Sequence, residues 1–457
     1  MMEARLPLIF LALAIIGGLL AVALNPPLRG PDEPAHFLRA LGIAQGQFVP
    51  HTVDARGRRG IYLSPELFSG FGLFNAIREA KPSGSIYADA FARYFAHADS
   101  EPEGGPPVFV PYEGSESYSP VPYLPYVPAA LISKAMGLKF VATLYVMRLA
   151  GLFASAALGA YAIAVAPHLK WIFFCTAMLP TAIYQRAVIN ADGASLSLAL
   201  LVIAFCIRGI HHSGGIWRRM GWMTACALTK PPQVALAVLE LMTGRDKNGS
   251  TWARAALVML PGFALSLAWI LLSAADVGAW RISESSGLPA HEFDPIWKLT
   301  YLLHHLLAFA EMSITSLDYA PELWRQLIGV FGWLDVPMRA WAYPAISVLL
   351  APCFVGALGL SGTARARAAV VAVATALAYC CAVFIIFFVT LTPTTADRIH
   401  GLQGRYFLVL LPLLAIVLSA MLNHRGPGGL HAVSGLAGAF VSMLAMAEAL
   451  WHAHWAG

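Results

Sequence analysis

Long apolar runs alternate with short polar links along this chain, and one polar stretch is much longer than the others. The first apolar run covers residues 6–24. Others fall at about 140–166, 171–189, 193–209, 255–275, 340–360, 369–391, 405–422 and 431–452. Most approach the ~20 residues that an α-helix needs to cross a bilayer. The pattern predicts an all-α polytopic integral membrane protein with about ten to twelve crossings in one transmembrane domain over residues 1–457. Arg5 precedes the first run and no persuasive small-residue cleavage site follows it, so this run reads as a retained helix.

The polar parts are organised around residues 25–120, directly after the first run. This loop carries more acidic than basic residues. With Arg5 on the other side, the bias of basic residues toward the cytoplasm puts the N-terminus inside and the loop outside. Within it, residues 34–45 read as an amphipathic helix with Phe37, Leu38 and Leu41 apolar, able to lie flat on the bilayer. From Ser117 the order Tyr-Ser-Pro-Val-Pro-Tyr-Leu-Pro-Tyr-Val-Pro excludes a regular straight helix and leads into a short one ending near 138. A second outer region covers 276–337.

The links 208–219 and 244–254 are both basic, yet only one span's length separates them. Lys230-Pro231-Pro232-Gln233 lies midway. Two half-length helices that go up and return, meeting at the prolines, put both links on one side. Crossing parity breaks between 120 and 190, which leaves the side of the C-terminus open.

Composition supports the membrane reading. The 457 residues are 58% hydrophobic and 12% charged, about half the charged fraction of a soluble domain. The net charge of +5 reflects orientation signals, and no nucleic-acid patch is present. Cys175, Cys206, Cys226, Cys353, Cys380 and Cys381 lie in apolar segments without metal-ligand spacing, and read as packing residues with no disulfide framework.

Polar groups at span borders supply the candidate chemistry. Asp32 and Glu33 stand together between Pro31 and Pro34 where the chain leaves the first span, with Glu33 as the expected helix cap. His36 and Arg39 follow on one helix face. Gln185, Arg186, Asn190 and Asp192 end another run. Lys230 sits near mid-membrane, where a lysine is costly unless paired or hydrated. Trp333 with Asp335, and Gln403, Arg405 and Tyr406, open late spans. Arg148 lies inside a run. Simpler readings exist for single members: Trp333 and Tyr406 as interface anchors, Asp192 as a helix cap, Arg148 snorkelling or paired with an acid. Together the set describes an outer cavity with carboxylates at its mouth and cations on its wall.

That arrangement suits sugar transfer from a lipid phosphate. Asp32 would serve as general base, with Glu33 assisting it or binding a divalent cation. Arg405, Lys230 and Arg186 would hold the leaving phosphate. His36, Arg39, Tyr123, Gln185, Asn190, Asp192, Trp333, Asp335, Gln403 and Tyr406 would shape the pocket. No dedicated metal cage is visible; a divalent cation (Mg or Mn), if used, would sit on Asp32 and Glu33. Two other readings are a lipid-linked glycan transporter or flippase, and an O-antigen polymerase or ligase.

The stretches Pro31-Asp-Glu-Pro-Ala-His-Phe37, Ser119-Pro-Val-Pro-Tyr-Leu-Pro125, Gly332-Trp-Leu-Asp335 and Gln403-Gly-Arg-Tyr-Phe407, in this order, resemble a family of bacterial predicted membrane proteins named as a domain of unknown function (DUF2142). The resemblance runs from about residue 10 to 420. After Phe407 this chain departs from the family pattern, with its proline at 412. The family looks like part of the GT-C superfamily of membrane glycosyltransferases, which take sugars from polyprenyl-phosphate donors on the outer face of the membrane. The resemblance implies a GT-C-like fold and a polyprenyl-phosphate-linked sugar donor. It also implies a glycan or glycolipid acceptor in cell-envelope polysaccharide assembly, and a place in the bacterial inner membrane with the active site facing the periplasm. By position it implies Asp32 with Glu33 at the catalytic centre, and Lys230 and Arg405 near the donor phosphate.

Overall fold

A computed structural model describes residues 2–80, 86–97, 105–211, 215–243, 251–273, 287–422 and 428–456. Parts of both outer regions and of the basic links 208–219 and 244–254, together with the link 423–425, lie outside the described residues. Seven of the described helices are long and apolar enough to cross a membrane, and the only strands among the described residues are two short antiparallel pairs. The chain is an all-α polytopic membrane protein.

Helix α1 (Met2–Leu24) is apolar on all sides, as a helix flanked by both lipid and protein must be. It ends at the face of the bundle that carries the long first loop, here the loop face. The loop does not spread over a membrane surface. Its helix α2 (Glu33–Ala44) is buried along almost its whole length. The strands β1 (Gly60–Leu63) and β2 (Val108–Pro111) pair against it, and α3 (Pro65–Glu79) and α4 (Ile86–His97) pack nearby. Phe37 packs edge-on to Phe140 and parallel to Phe71, so the loop builds a second apolar core on the outer end of α6 (Phe140–Val165). The flat-lying helix expected at 34–45 is therefore a core helix instead. Its apolar side chains found partners within the loop and on α6, and its polar side was covered as well.

The parity problem between 120 and 190 is solved by short helices. The ten-residue α5 (Tyr126–Ala135) stays at the loop face, where the Tyr126 hydroxyl donates to the Asn190 carbonyl at 3.1 Å. The run 171–189 is two half-helices, α7 (Lys170–Ala177) and α8 (Pro180–Ala187), broken at Met178 and Leu179, with Pro180 opening the second. They return the chain to the loop face, and α9 (Asp192–His211) leads away again.

The helical hairpin expected around Lys230 is present. Helix α10 (Ile216–Thr229) rises to Lys230, and a 3-10 segment, Pro231–Met242, returns beside it. Arg219 near the base of one limb meets Glu240 near the base of the other at 2.9 Å, so the limbs run antiparallel. Extended backbone at Lys230 (φ −153°, ψ 132°) makes the tip, as a residue before proline prefers.

Helix α11 (Thr251–Ser273) climbs back to the loop face, where the Trp269 indole donates to the Ser117 carbonyl at 2.8 Å. Three short helices follow there: α12 (Pro295–His304), α13 (Leu306–Thr315) and α14 (Ala320–Gly329). A two-residue-strand hairpin, β3 (Val330–Phe331) with β4 (Val336–Pro337), carries Trp333 and Asp335. The rest is α15 (Ala342–Leu350), α16 (Gly362–Leu391), α17 (Leu410–Leu422) and α18 (Gly428–His454). The Trp455 indole donates to the Leu24 carbonyl at 2.7 Å, which puts the C-terminal end on the loop face beside the end of α1. All six cysteines are free.

Candidate functional site

The stretch 25–33 turns back on itself at the end of α1 and presents its two adjacent carboxylates in opposite directions. Glu33 points inward and is fully buried. Arg148 on α6 binds it with two nitrogens, at 2.7 and 2.8 Å, and donates further to the carbonyls of Asn25 and Pro26. The backbone N–H groups of Gly30 and Ile189 donate to the same carboxylate at 3.0 Å each. Every oxygen of Glu33 is thus engaged, as a buried charge requires. This corrects the pairing of Glu33 with Asp32 as base or cation ligand. Glu33 ties α6, α2 and the turn before α9 into one block, and Arg148 is the cation paired with it.

Asp32, not Glu33, is the N-cap of α2, and its side chain makes no capping bond. Its backbone adopts the left-handed region (φ 54°), which costs energy for a non-glycine residue and is tolerated best by Asn and Asp. Such strain commonly marks functional positions. The carboxylate is half exposed and faces Arg405 at 3.5 Å. Arg405 is 373 residues away in sequence. Its Nε stands 3.4 Å from Asp192, the first residue of α9, and the ammonium of Lys230 at the hairpin tip binds the same Asp192 carboxylate. Tyr406 lies beneath both cations, its ring centroid 4.8 Å from the Lys230 nitrogen and 5.3 Å from the Arg405 guanidinium, within cation–π range. Two carboxylates and two cations thereby alternate at one point of the loop face, contributed by the first loop, α9, the hairpin tip and the turn before α17.

Arg405 is held there by its neighbour. Gly404 packs so closely on α14 that an added Cβ would lie 2.1 Å from the Leu323 carbonyl and 2.3 Å from the Leu327 nitrogen. The Gly404 N–H donates to Gln326 at 3.0 Å, and the Tyr379 hydroxyl donates to the Tyr406 carbonyl at 2.9 Å. A 3-10 turn, Gly404–Phe407, then aims Arg405 at the pocket.

Beside the cations lies a narrow pocket with about 30 Å³ of room for a water-sized group. One side is polar, from Gln185, Ser195 and Gln233; the other is lined by Tyr379, Leu408 and Val409. Gln233 donates to the Ser195 hydroxyl at 2.8 Å, while its buried carbonyl oxygen has no hydrogen-bond partner. An unpaired buried acceptor costs about 1–3 kcal/mol, and a ligand hydroxyl or a water would satisfy it. Asn190 shapes this wall from behind. Its amide donates to Gln185 at 2.5 Å, and its oxygen accepts from the N–H groups of Asp192 and Gly193 at the start of α9.

His36 stands behind Asp32, its Nδ1 2.6 Å from the Tyr123 hydroxyl and its ring edge-on to Tyr118. Burial lowers the His36 pKa to about 4 and raises Tyr123 well above the usual phenol range. At neutral pH an uncharged imidazole therefore shares a hydrogen bond with the Tyr123 hydroxyl, and the net charge at the cluster is set by Asp32, Asp192, Lys230 and Arg405.

Several expected members stand elsewhere. Arg186 is buried between α7 and α1; it donates to the Ala177 carbonyl at 2.5 Å and covers the Phe10 ring at 5.6 Å, so it does not line the phosphate wall. Arg39 clamps the chain after α2 through the carbonyls of Gln47 and Phe48. Asp335 pairs with Arg29 at 2.7 Å, and Trp333 lies under Arg78 at 5.0 Å. Both belong to a separate contact between the β3–β4 hairpin and the first loop. Gln403 is half buried, its side-chain oxygen without a hydrogen-bond partner. Sequence reasoning missed Ser195, Gln233 and Tyr379. Ser195 lies three residues after Asp192 and Gln233 three after Lys230, so helical spacing from the charged residues was the available signal.

A divalent cation does not fit the Asp32–Glu33 pair, because Glu33 has no free oxygen and faces away. Among the described residues no group of three or more His, Cys, Asp or Glu side chains is placed to hold a metal ion.

No curated protein and no solved structure matches this chain. Residues 15–414 match the family described as Predicted membrane protein (DUF2142), which spans most of the chain and all of the pocket, and the protein is a member of that family of multi-pass membrane proteins.

Proposed function

We propose that the protein is a membrane glycosyltransferase that moves a sugar from a polyprenyl-phosphate donor to the hydroxyl of a glycan or glycolipid acceptor. The observation that carries this reading is Arg405, with Lys230 beside it, standing next to a half-exposed carboxylate, Asp32, at the mouth of a pocket that is polar on one side and apolar on the other. In the reaction the acceptor hydroxyl loses its proton to Asp32. Its oxygen bonds to the anomeric carbon as the bond from that carbon to the phosphate oxygen breaks. The electron pair leaves with the phosphate, and Arg405 and Lys230 balance its charge. Gln185, Ser195 and Gln233 are the hydroxyl-binding wall. Asp192 holds the two cations in place when no anion is present.

A one-sided reaction is favoured over transport by the hairpin itself. Its tip carries the cation, while its base is closed by the buried Arg219–Glu240 pair. The reading places the pocket on the periplasmic side of a bacterial inner membrane.

The test is turnover by the purified full-length protein in bilayers, with a panel of undecaprenyl-phosphate sugars and cell-envelope glycolipid acceptors. Asp32→Asn is expected to lower the rate by ~10²–10⁴, the usual worth of a general base, while donor binding persists. Full turnover by folded Asp32→Asn protein would sink the assignment of the base. Absence of transfer across the whole panel, with donor lipid moved between leaflets instead, would overturn the enzyme reading.

A further inference from the structure

Helices α12 and α13 carry an apolar surface that the bundle leaves uncovered. Leu307 is 87% exposed and Ile296 78%, and Leu303, Leu306 and Ile314 are each more than half exposed. Ile296, Leu299 and Leu303 follow one helical stripe of α12, and Leu307 and Ile314 follow one of α13. Each helix has ten residues, about 15 Å of length, too short to cross a bilayer. They are joined at His305, where the backbone leaves the helical region (φ −129°, ψ 45°).

The opposite side of the pair is firmly seated. Lys298 is fully buried and donates to the Thr392 carbonyl just past the end of α16. The Phe388 ring on α16 receives Lys298 at 4.0 Å and Phe309 at 5.4 Å. The uncovered stripes are therefore a designed outer face of a fixed element.

We infer that α12 and α13 lie in the interfacial layer of the bilayer leaflet at the loop face, with their exposed leucines and isoleucines against lipid chains. Two observations select lipid as the occupant. The pair packs on the loop-face end of α16, a helix long and apolar enough to cross a membrane, so it sits where a span meets the bilayer surface. Trp297, Tyr301 and His305 stack in a column along the pair, the aromatic and amphipathic groups favoured at headgroup level.

The position has a consequence for the pocket. Phe387, next to Phe388, lies 5.1 Å from the ring of Tyr406, the residue beneath both pocket cations. Lipid resting on α12 and α13 is thus one aromatic pair away from Lys230 and Arg405, and an amphiphilic anion could reach the cations sideways with its tail still in the membrane. The placement of α12 and α13 does not depend on sugar transfer.

The experiment uses the full-length protein in phospholipid nanodiscs with a nitroxide on Leu307→Cys, in a Cys381→Ala background, and Asp397→Cys as the aqueous control (Asp397 is exposed at the same face). Collision with oxygen is expected to exceed collision with a water-soluble nickel chelate at position 307, and the order to reverse at 397. Wild-type protein with a diazirine in the lipid chain is expected to crosslink within 296–314. Nickel accessibility at 307 equal to that at 397 would overturn the inference. So would shielding from both reagents with coupling between two 307 labels, which would mean that a second copy covers the face. An active transferase with a wetted 307, or a lipid-seated pair without transferase activity, separates this inference from the proposed reaction.

Discussion

Two ion-paired centres flank the same turn, one built on Glu33 and one on Asp32. At the first, Arg148 and Glu33 are fully buried, every charge is matched, and backbone groups complete the shell. At the second, Asp32 is half exposed, Asp192 is shared by two cations, and the contacts of Arg405 are long, at 3.4 and 3.5 Å. The chemical groups are the same. The difference is closure: a sealed pair organises the fold, whereas a loosely matched, open set can exchange a protein carboxylate for a substrate anion.

Breaking the sealed pair should have the largest effect. Arg148→Met leaves Glu33 charged and unpaired in the interior and should lower stability by about 3–5 kcal/mol, read as earlier unfolding in a thermal melt of the protein in lipid. If the melt is unmoved, Glu33–Arg148 is no organising centre and the contrast fails.

The open set should answer differently. Arg405→Gln should abolish binding of undecaprenyl phosphate to nanodisc-embedded protein by more than about tenfold, the loss of a charge-assisted contact worth about 1.5–3 kcal/mol, with a smaller change in the melt than Arg148→Met. Gly404→Ala should act on the same binding through position alone. Its Cβ collides with α14 backbone, so the turn must shift and the affinity fall while the charge remains. Asp32→Asn should tighten the same lipid by up to about fivefold, because a partly exposed pair contributes only ~0–1 kcal/mol to holding Arg405 away from an anion. Weaker binding by this variant would mean that Asp32 supports the phosphate site rather than competing with it.

The smallest effect concerns pH. His36 is held neutral, with its pKa lowered to about 4 by burial, against about 6.5 unfolded. Below pH 6.5 the unfolded chain takes up a proton that the folded chain refuses. The stability contributed by this site is complete above that pH and falls as pH drops toward 4. His36→Gln should flatten that part of the stability profile. An unchanged profile would show that the ring is charged in the folded protein or solvated from the pocket.

Much of the architecture was legible because lipid imposes length and composition on every crossing. The apolar runs and the hairpin at Lys230 follow from that constraint, and the hairpin was read from crossing parity together with the paired prolines at its tip. The fate of 34–45 was not legible. An amphipathic stripe records that one face avoids water without recording what covers it, and here the loop's own Phe71 and Phe140 at the start of α6 took the place of lipid. At α12 and α13 nothing in the bundle did.

Local sequence determined which residues could carry charge at the loop face: Asp32, Asp192 and Arg405 stand at span borders where a polar residue has a reason to be, and Lys230 precedes the paired prolines midway through its run. It named Asp32 as the base but kept Glu33 at the same site as its assistant, because adjacent residues have the same neighbours in sequence. Only the tertiary structure separated them, by bringing Arg148 to one carboxylate and Arg405 to the other. Burial demands a full set of partners for the first and leaves the second open to a ligand. Partners 115 and 373 residues away are a property of packing, and no local pattern records them.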